Sequence, residues 1–297
     1  MKKKIRPSKS VGIVGLGLIG GSLGLDLQKL GWKVYGIANN SSNANRAKDR
    51  MLAEIVSINL TTLGKCDLII LALPLNELLK PTQELISALP KDAVITDVGS
   101  VKEPIINVWK NLHPRFIGSH PMAGTTKAGV EAGQRDLFKN RPWVATPEKD
   151  SDLEALQVIQ ELAISLGSKW ITSTATNHDQ AVSLISHLPL LVSAALLKSI
   201  KEETNSTVLS LAKDLASSGF ADTTRVGGGN PKLGTAIMAN NSSPLLEALN
   251  SYKVSLNELE KLITNATLYL ECWMTVAKIK QLIAKEGNRK AFFSEFQ

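Results

Sequence analysis

The sequence predicts an α/β protein: a parallel-sheet N-terminal domain followed by an all-α C-terminal domain. From Val11 onward, short β-branched apolar runs alternate with segments of helical period, the pattern of strands joined by crossover helices. Those runs are apolar almost throughout, as strands covered on both faces are. After about Thr176 the strand signals stop and only helical periodicity remains. The change of period divides the chain into residues 1–175 and 176–297. A chain of 297 residues, 43% of them hydrophobic, has enough apolar material for two domains.

Taken in order, the predicted strands are Val11 to Val14, Lys33 to Ile37, Leu68 to Ala72, Ala93 to Thr96, Phe116 to Gly118, Trp143 to Ala145 and Lys169 to Thr172. A helix from Ile19 to Leu30 lies between the first two and is closed by Gly31, a residue suited to the left-handed position after a helix. In the second part, Val182, Ile185, Leu188, Val192 and Leu196 mark one helix over Asp179 to Lys201. Further helices are expected near Val208 to Ser217, Pro231 to Asn240 and Pro244 to Lys285, and no internal repeat interrupts them.

Composition narrows the function. The start Met1, Lys2, Lys3, Lys4 is followed by polar residues and not by the apolar stretch of a signal peptide. The longest apolar segments, Cys66 to Leu73 and Leu188 to Leu197, are too short and interrupted to span a bilayer, so a cytoplasmic protein with no membrane partner is expected. Cys66 and Cys272 make neither a disulfide framework nor metal-ligand spacing; both are read as core residues, and no metal is expected. The formal charge of +7 is spread along the chain without aromatic-interleaved basic motifs, which speaks against nucleic acid. Anionic small ligands account for a positive field equally well.

The segment Val11-Gly12-Ile13-Val14-Gly15-Leu16-Gly17-Leu18-Ile19-Gly20 puts a G-x-G-x-x-G directly after a strand and at the start of a helix. Gly15 permits the tight turn, Gly17 lets the backbone approach a pyrophosphate, and Gly20 lets helix and strand pack closely. With the backbone of Leu18 and Ile19, the helix start offers N–H groups and positive dipole to phosphates. These features define a Rossmann-type dinucleotide-binding domain. Its second strand ends in Ala38, Asn39, Asn40, Ser41 and Ser42, with no acid before Asp49. A carboxylate there would accept the ribose 2′-hydroxyl of NAD; amides, hydroxyls and Arg46 suit a 2′-phosphate, so NADP is favoured over NAD.

Ligands of open α/β sheets lie beyond the carboxyl ends of the strands. Two polar segments fall there: Asp97-Val98-Gly99-Ser100-Val101-Lys102 and Ser119-His120-Pro121-Met122-Ala123-Gly124-Thr125. Ser100 and His120 should therefore share the edge that holds the nicotinamide, His120 as a catalytic imidazole. His113 is read as lying in a surface turn and His178 as a cap-region residue. His187 lies in Ile185-Ser186-His187-Leu188-Pro189, where Pro189 should kink the helix; that kink is either solvated or bent around a ligand to which His187 donates. Arg225, in the loop Ala216 to Pro231, is either a surface charge or a carboxylate clamp.

Through Gly15 to Gly20, Thr96 to Lys102, Gly118 to Thr125, His178 to Val182, Ser186 to Pro189 and Ser217 to Val226, the sequence resembles the prephenate/arogenate dehydrogenase family of tyrosine biosynthesis. It is most similar to the cyanobacterial arogenate dehydrogenases, over nearly the whole chain. The resemblance implies an oxidative decarboxylation with hydride transfer to a nicotinamide. It implies that His120 bonds to the ring 4-hydroxyl, that Ser100 orients that pair, that Arg225 holds a substrate carboxylate, and that His187 and Thr125 line the pocket. It also implies a homodimer through the helical domain. Arogenate and prephenate differ in an α-amino against a keto group; Asp222, close to Arg225 in sequence, is suited to pairing with the ammonium. No segment before Val11 or after Lys285 is long enough for a fused mutase or a regulatory domain, so inhibition by tyrosine is expected to be competitive.

Two rivals remain at this point. A β-hydroxyacid dehydrogenase shares the two-domain plan but uses a lysine of the helical domain, and Lys198 and Lys213 lack the glycine-bearing context for it. A silent nucleotide-binding regulator would bind the cofactor without turnover, against which the set Ser100, His120 and Arg225 speaks.

Overall fold

Strand β1 (Ser10–Val14) opens the described part of the computed structural model, which covers residues 10–125, 127–263, 274, 276–278 and 280. Helix α1 (Leu18–Lys29) leads to β2 (Lys33–Ile37), α2 (Ser41–Asp49) and β3 (Ile55–Ser57). Then come β4 (Leu68–Leu71), α3 (Leu75–Leu79), α4 (Gln83–Ala88), β5 (Val94–Asp97), α5 (Glu103–Trp109) and β6 (Phe116–Ile117). These six strands form one parallel sheet in the order β3-β2-β1-β4-β5-β6, with a topological switch between β1 and β4. The predicted Rossmann-type architecture is thus the observed one.

Within this sheet the apolar runs behave as strands covered on both faces, as expected, whereas the run Lys169–Thr172, expected to be covered likewise, is largely exposed. Within β4, Leu68 and Ile70 join a core with Val11, Ile13 and Leu23, while Ile69 and Leu71 join the opposite core with Ile37, Ile95 and Trp109. All four β4 side chains are fully buried. Trp109 stacks on Phe116 and donates its indole N–H to the Leu78 carbonyl at 2.7 Å, which satisfies its polar end inside the core.

Where the sequence suggests one strand from Phe116 to Gly118, the chain instead changes sheets. After β6 it passes Gly118, where an added Cβ would lie 3.0 Å from Thr146 Oγ1, and continues as β7 (Ser119–Pro121). β7 pairs antiparallel with β8 (Pro142–Ala145), which after α6 (Leu153–Ser165) pairs parallel with β9 (Lys169–Thr172). Both β3 and β7 escape the sequence reading because each has only three residues, too few to show a period.

The helical part begins with α7 (Ala175–Val182) and α8 (Leu188–Lys201), joined by a π-turn over Ser183–His187. At the predicted kink the structure has this wide turn: the N–H of Leu188 reaches the carbonyl of Ser183, and Pro189 falls in the first turn of α8. The helical run Ala175–Lys201 is, by length and composition, apolar enough to cross a bilayer, longer than the apolar segment taken from the sequence. Then follow α9 (Ser206–Leu215), α10 (Ser218–Thr224) and α11 (Pro231–Asn240). The stretch 218–224, read above as part of a loop from Ala216 to Pro231, is therefore helix. The chain divides into two compact units, Met1–Ser242 and Ser243–Gln297. The second, where described, is helical: α12 (Ser242–Ile263) and residues 274, 276–278 and 280. Cys66 is buried, and burial pushes its thiol up to about 12, an inert core position; Cys272 lies outside the described residues.

Candidate active site

At the glycine turn, Gly15 adopts φ +95°, and a Cβ there would meet the Ala72 carbonyl oxygen at 2.3 Å. Its N–H bonds to the Ile37 carbonyl at 2.9 Å, which ties the turn to the end of β2. A Cβ on Gly20 would lie 1.9 Å from the Gly15 carbonyl oxygen, so helix and turn approach as closely as glycine allows. Gly17 differs: an added Cβ meets nothing within 4 Å. Gly17 is the N-cap of α1 with no side-chain cap, and the first turn carries no acid, so the N–H groups of Leu18, Ile19 and Gly20 are left for an outside acceptor. The turn thus fits a pyrophosphate, with open space over Gly17 alone.

Asn39 and Ser41 are exposed at the end of β2. Asn39 Oδ1 accepts from Asn43 Nδ2 at 2.7 Å, while Asn40 caps α2 by accepting the Asn43 N–H at 2.8 Å. Arg46 is not free for an incoming phosphate: its Nε donates to Glu131 Oε1 at 2.6 Å, and Nη2 pairs with the other carboxylate oxygen. This pairing holds the Glu131 carboxyl below the usual carboxylate range. The sequence reading missed Glu131 because it lies 85 positions away.

β5 ends on Asp97, wholly buried, whose carboxylate accepts the Gly99 N–H at 2.8 Å and the Ser119 N–H at 3.1 Å. Lys102, equally buried, pairs with the same carboxylate and donates to the Ser119 carbonyl at 2.7 Å. A lysine survives burial only when so bonded; burial draws its pKa down, and Asp97 draws it back up. This pair fixes the start of β7 against the loop after β5, and hence His120 relative to Ser100. Ser100 is partly buried within that loop.

His120 lies on β7, partly buried, opposite Val144 of β8. Its Nδ1 is 2.9 Å from His178 Nε2, and the two rings meet edge to face. His178 Nδ1 in turn lies 2.7 Å from Asp179 Oδ1. Among the described residues, then, the imidazole's hydrogen-bond partner is His178. Burial first, then the nearby His178, Lys102 and His187, depress the His120 pKa well below the ordinary imidazole value of 6.5. His120 is therefore neutral at physiological pH and able to take a proton. His178 is no cap-region residue but a buried side chain inside α7, which Thr174 caps. His113 is likewise buried, with Nε2 3.0 Å from the Pro90 carbonyl, and not in a surface turn.

His187 is buried, with Nδ1 3.0 Å from the Asn241 amide nitrogen, which also reaches the Asp179 carbonyl and Ser183 Oγ, each at 2.9 Å. Burial lowers its pKa to about 4, so its ring is neutral, with Nδ1 accepting and Nε2–H left to donate. Arg225, at the C-cap of α10, is exposed, as are Asp222 on that helix and Thr125, whose Oγ1 accepts the Lys127 N–H at 3.2 Å. Ser193 of α8 holds the Arg225 turn from both sides. Its hydroxyl donates to the Thr223 carbonyl and accepts the Gly227 N–H, both at 2.8 Å.

A neutral imidazole held at the carboxyl end of β5, in a domain whose glycine turn fits a pyrophosphate, suits a dehydrogenase, and comparison with known proteins leads to the same class. The family model of the prephenate dehydrogenase nucleotide-binding domain matches residues 23–172, and that of the prephenate dehydrogenase dimerization domain matches residues 174–286. The chain belongs to the prephenate dehydrogenase family. The crystal structure of Synechocystis arogenate dehydrogenase is 39% identical, covers 93% of this chain and 98% of its own, and superposes with a TM-score of 0.74. Prephenate dehydrogenase from A. aeolicus, solved with hydroxyphenyl propionate and NAD+, is 28% identical with a TM-score of 0.86, over 95% of this chain and 100% of its own. A Lactococcus lactis prephenate dehydrogenase is 31% identical over 86% of this chain and 72% of its own length.

Asp179, Lys102, Asn241 and Ser193 are site residues the sequence reading left without a role, and His178 is one to which it gave only a cap position. The signals for them were an adjacent His and Asp at the start of an otherwise apolar helix and the place of Lys102 in the polar segment after β5.

Proposed function

We propose that the chain oxidatively decarboxylates arogenate to tyrosine with NADP as hydride acceptor. The observation that carries this reading is a neutral, partly buried His120, held through its neighbour Ser119 at the carboxyl end of β5. A dinucleotide whose pyrophosphate would be held by the backbone of Gly17, Leu18 and Ile19 would supply the nicotinamide hydride acceptor. His120 holds the proton of the ring 4-hydroxyl as hydride leaves the ring carbon and the ring carboxylate departs as CO2, leaving an aromatic product. Ser100 orients this pair, Arg225 takes a substrate carboxylate through its guanidinium fork, and His187 and Thr125 line the same pocket. Asp222 is assigned to the substrate ammonium, which favours arogenate over prephenate. That preference is supported by the 39% identity to an arogenate dehydrogenase. Prephenate is the second reading, favoured by the A. aeolicus and L. lactis relatives.

NADP is supported by the acid-free end of β2 at Asn39 and Ser41. Glu131 opposes it, because its carboxylate occupies the Arg46 guanidinium that a 2′-phosphate would use, and the A. aeolicus relative was solved with NAD+. We further assign residues 176–297 to a substrate and dimerisation domain of a cytoplasmic homodimer. The match to a dimerization domain supports this, as do the exposed Leu184, Ile185, Leu211 and Leu215 and the apolar groove of 560 Å³ lined by Ile200, Ala212, Leu215 and Phe220.

Steady-state kinetics on arogenate and prephenate, each with NADP and NAD, tests the reading. Arogenate with NADP should give the highest kcat/KM; a tenfold preference for prephenate or for NAD would reverse the corresponding half of it.

A further inference from the structure

The geometry points to a positioning relay in which Asp179 and His178 hold His120 as its Nδ1–H tautomer, leaving Nε2 as the proton-accepting nitrogen. The inference rests on His120 being the base of the proposed reaction, but the relay itself is a property of three bonded side chains. An ionised carboxylate only accepts hydrogen bonds. The Asp179 carboxylate already accepts two backbone N–H groups, Lys102 at 2.7 Å on Oδ1 and Glu103 at 2.8 Å on Oδ2. His178 Nδ1, 2.7 Å from that same Oδ1, must therefore be the donor. With its proton on Nδ1, His178 presents a lone pair on Nε2, and that lone pair faces His120 Nδ1 at 2.9 Å. The His120 Nδ1 must donate, so its Nε2 is unprotonated.

Two features make this arrangement more than a chance contact. His178 and Asp179 are 3% and 2% exposed, so water does not compete for these hydrogen bonds. Asp179 also caps the start of α5, because Lys102 and Glu103 carry the first free N–H groups of that helix. One carboxylate on α7 thus sets both the ring orientation of His120 and the end of the loop that bears Ser100. The charged or titratable groups that act on His120 are His178, Lys102 and His187, and Asp97 and Asp179 act in turn on Lys102.

All four histidines of the chain have a stated partner, so the relay makes a definite spectroscopic statement. His113 faces a carbonyl with Nε2 and accepts the Arg115 N–H on Nδ1; His187 accepts on Nδ1 from Asn241. Both are Nε2–H tautomers. His120 and His178 should be Nδ1–H.

The test is long-range 1H–15N correlation on the full-length, 15N-histidine-labelled protein at pH 8, assigned with single His variants. Two Nδ1–H and two Nε2–H patterns are expected; a His120 signal of the Nε2–H type overturns the relay. Kinetics adds a second arm. His178→Phe removes the acceptor and should lower kcat about 100-fold with KM within threefold, whereas His178→Gln offers an amide oxygen to the His120 N–H and should recover at least a tenth of wild-type kcat. Equal losses in the two variants would refute a positioning role. Should His120→Asn keep its activity while the tautomers stand as stated, the functional reading fails and the relay does not.

Discussion

Two alanine substitutions within one turn should separate folding from cofactor binding. A Cβ at position 20 falls 1.9 Å from the Gly15 carbonyl oxygen and 3.0 Å from both Ala72 Cβ and Ile13 Cγ2. The main obstacle is backbone, so no rotamer change relieves it. Overpacking of this kind costs about 3 kcal/mol or more, and Gly20→Ala should lower Tm by roughly 10 °C. A Cβ at position 17 meets nothing within 4 Å, and the φ of −76° is one alanine adopts freely. Gly17→Ala should keep Tm within about 2 °C of wild type. That methyl group nevertheless stands where a pyrophosphate would approach the start of α1. Losing one charge-assisted hydrogen bond there, worth about 1.5–3 kcal/mol, raises the cofactor Kd roughly 10- to 100-fold. Thermal unfolding of the two variants and fluorescence titration with NADP and NAD measure both effects. A Gly17→Ala protein that binds cofactor as tightly as wild type would refute the placement of the phosphates; an unperturbed Gly20→Ala would refute the packing argument.

Three further outcomes follow from the charges of the site. Because His120 must be neutral to accept a proton and its pKa is depressed, kcat/KM should stay level from pH 8 down through 6.5 and fall only below that; an inflection at 6.5 or higher in a pH–rate profile contradicts the burial argument. His187 titrates near 6.5 when unfolded and at about 4 when folded, so the unfolded chain binds more protons between those values. The stability it contributes is complete above pH 6.5 and declines as pH falls toward 4, by about 3 kcal/mol, and urea midpoints of wild type and His187→Gln should converge over that window. Glu131→Gln frees the Arg46 guanidinium and should tighten NADP binding about two- to fivefold while leaving NAD unchanged; calorimetric titration showing equal shifts for both would remove Glu131 from cofactor selection.

The sheet and the glycine turn were legible in the sequence because their signals are local. β2 and β9 fall on the residues expected, since short β-branched or aromatic runs bounded by turn residues have few alternatives, although β9 is largely exposed. The short strands β3 and β7 and the helix α10 were not, and β7 matters most, because it moves His120 from a loop onto a paired strand. Of the site, Ser100, His120 and His187 could be picked out by position at strand ends and at a proline. Their partners could not: His178 lies 58 positions from His120, Asn241 lies 54 from His187, and Glu131 lies 85 from Arg46.

Lys102 shows a different kind of illegibility. It stood in a motif the sequence singled out, yet nothing local says that a lysine there is wholly buried, and the general tendency of lysines is exposure. Only the fold, which brings the Ser119 carbonyl and the Asp97 carboxylate to one ammonium, makes burial tolerable. The positive charge so buried is also one of the groups that keep His120 unprotonated. A structural ion pair and the tuning of a base are therefore the same interaction, and a substitution at Lys102 cannot change one without changing the other.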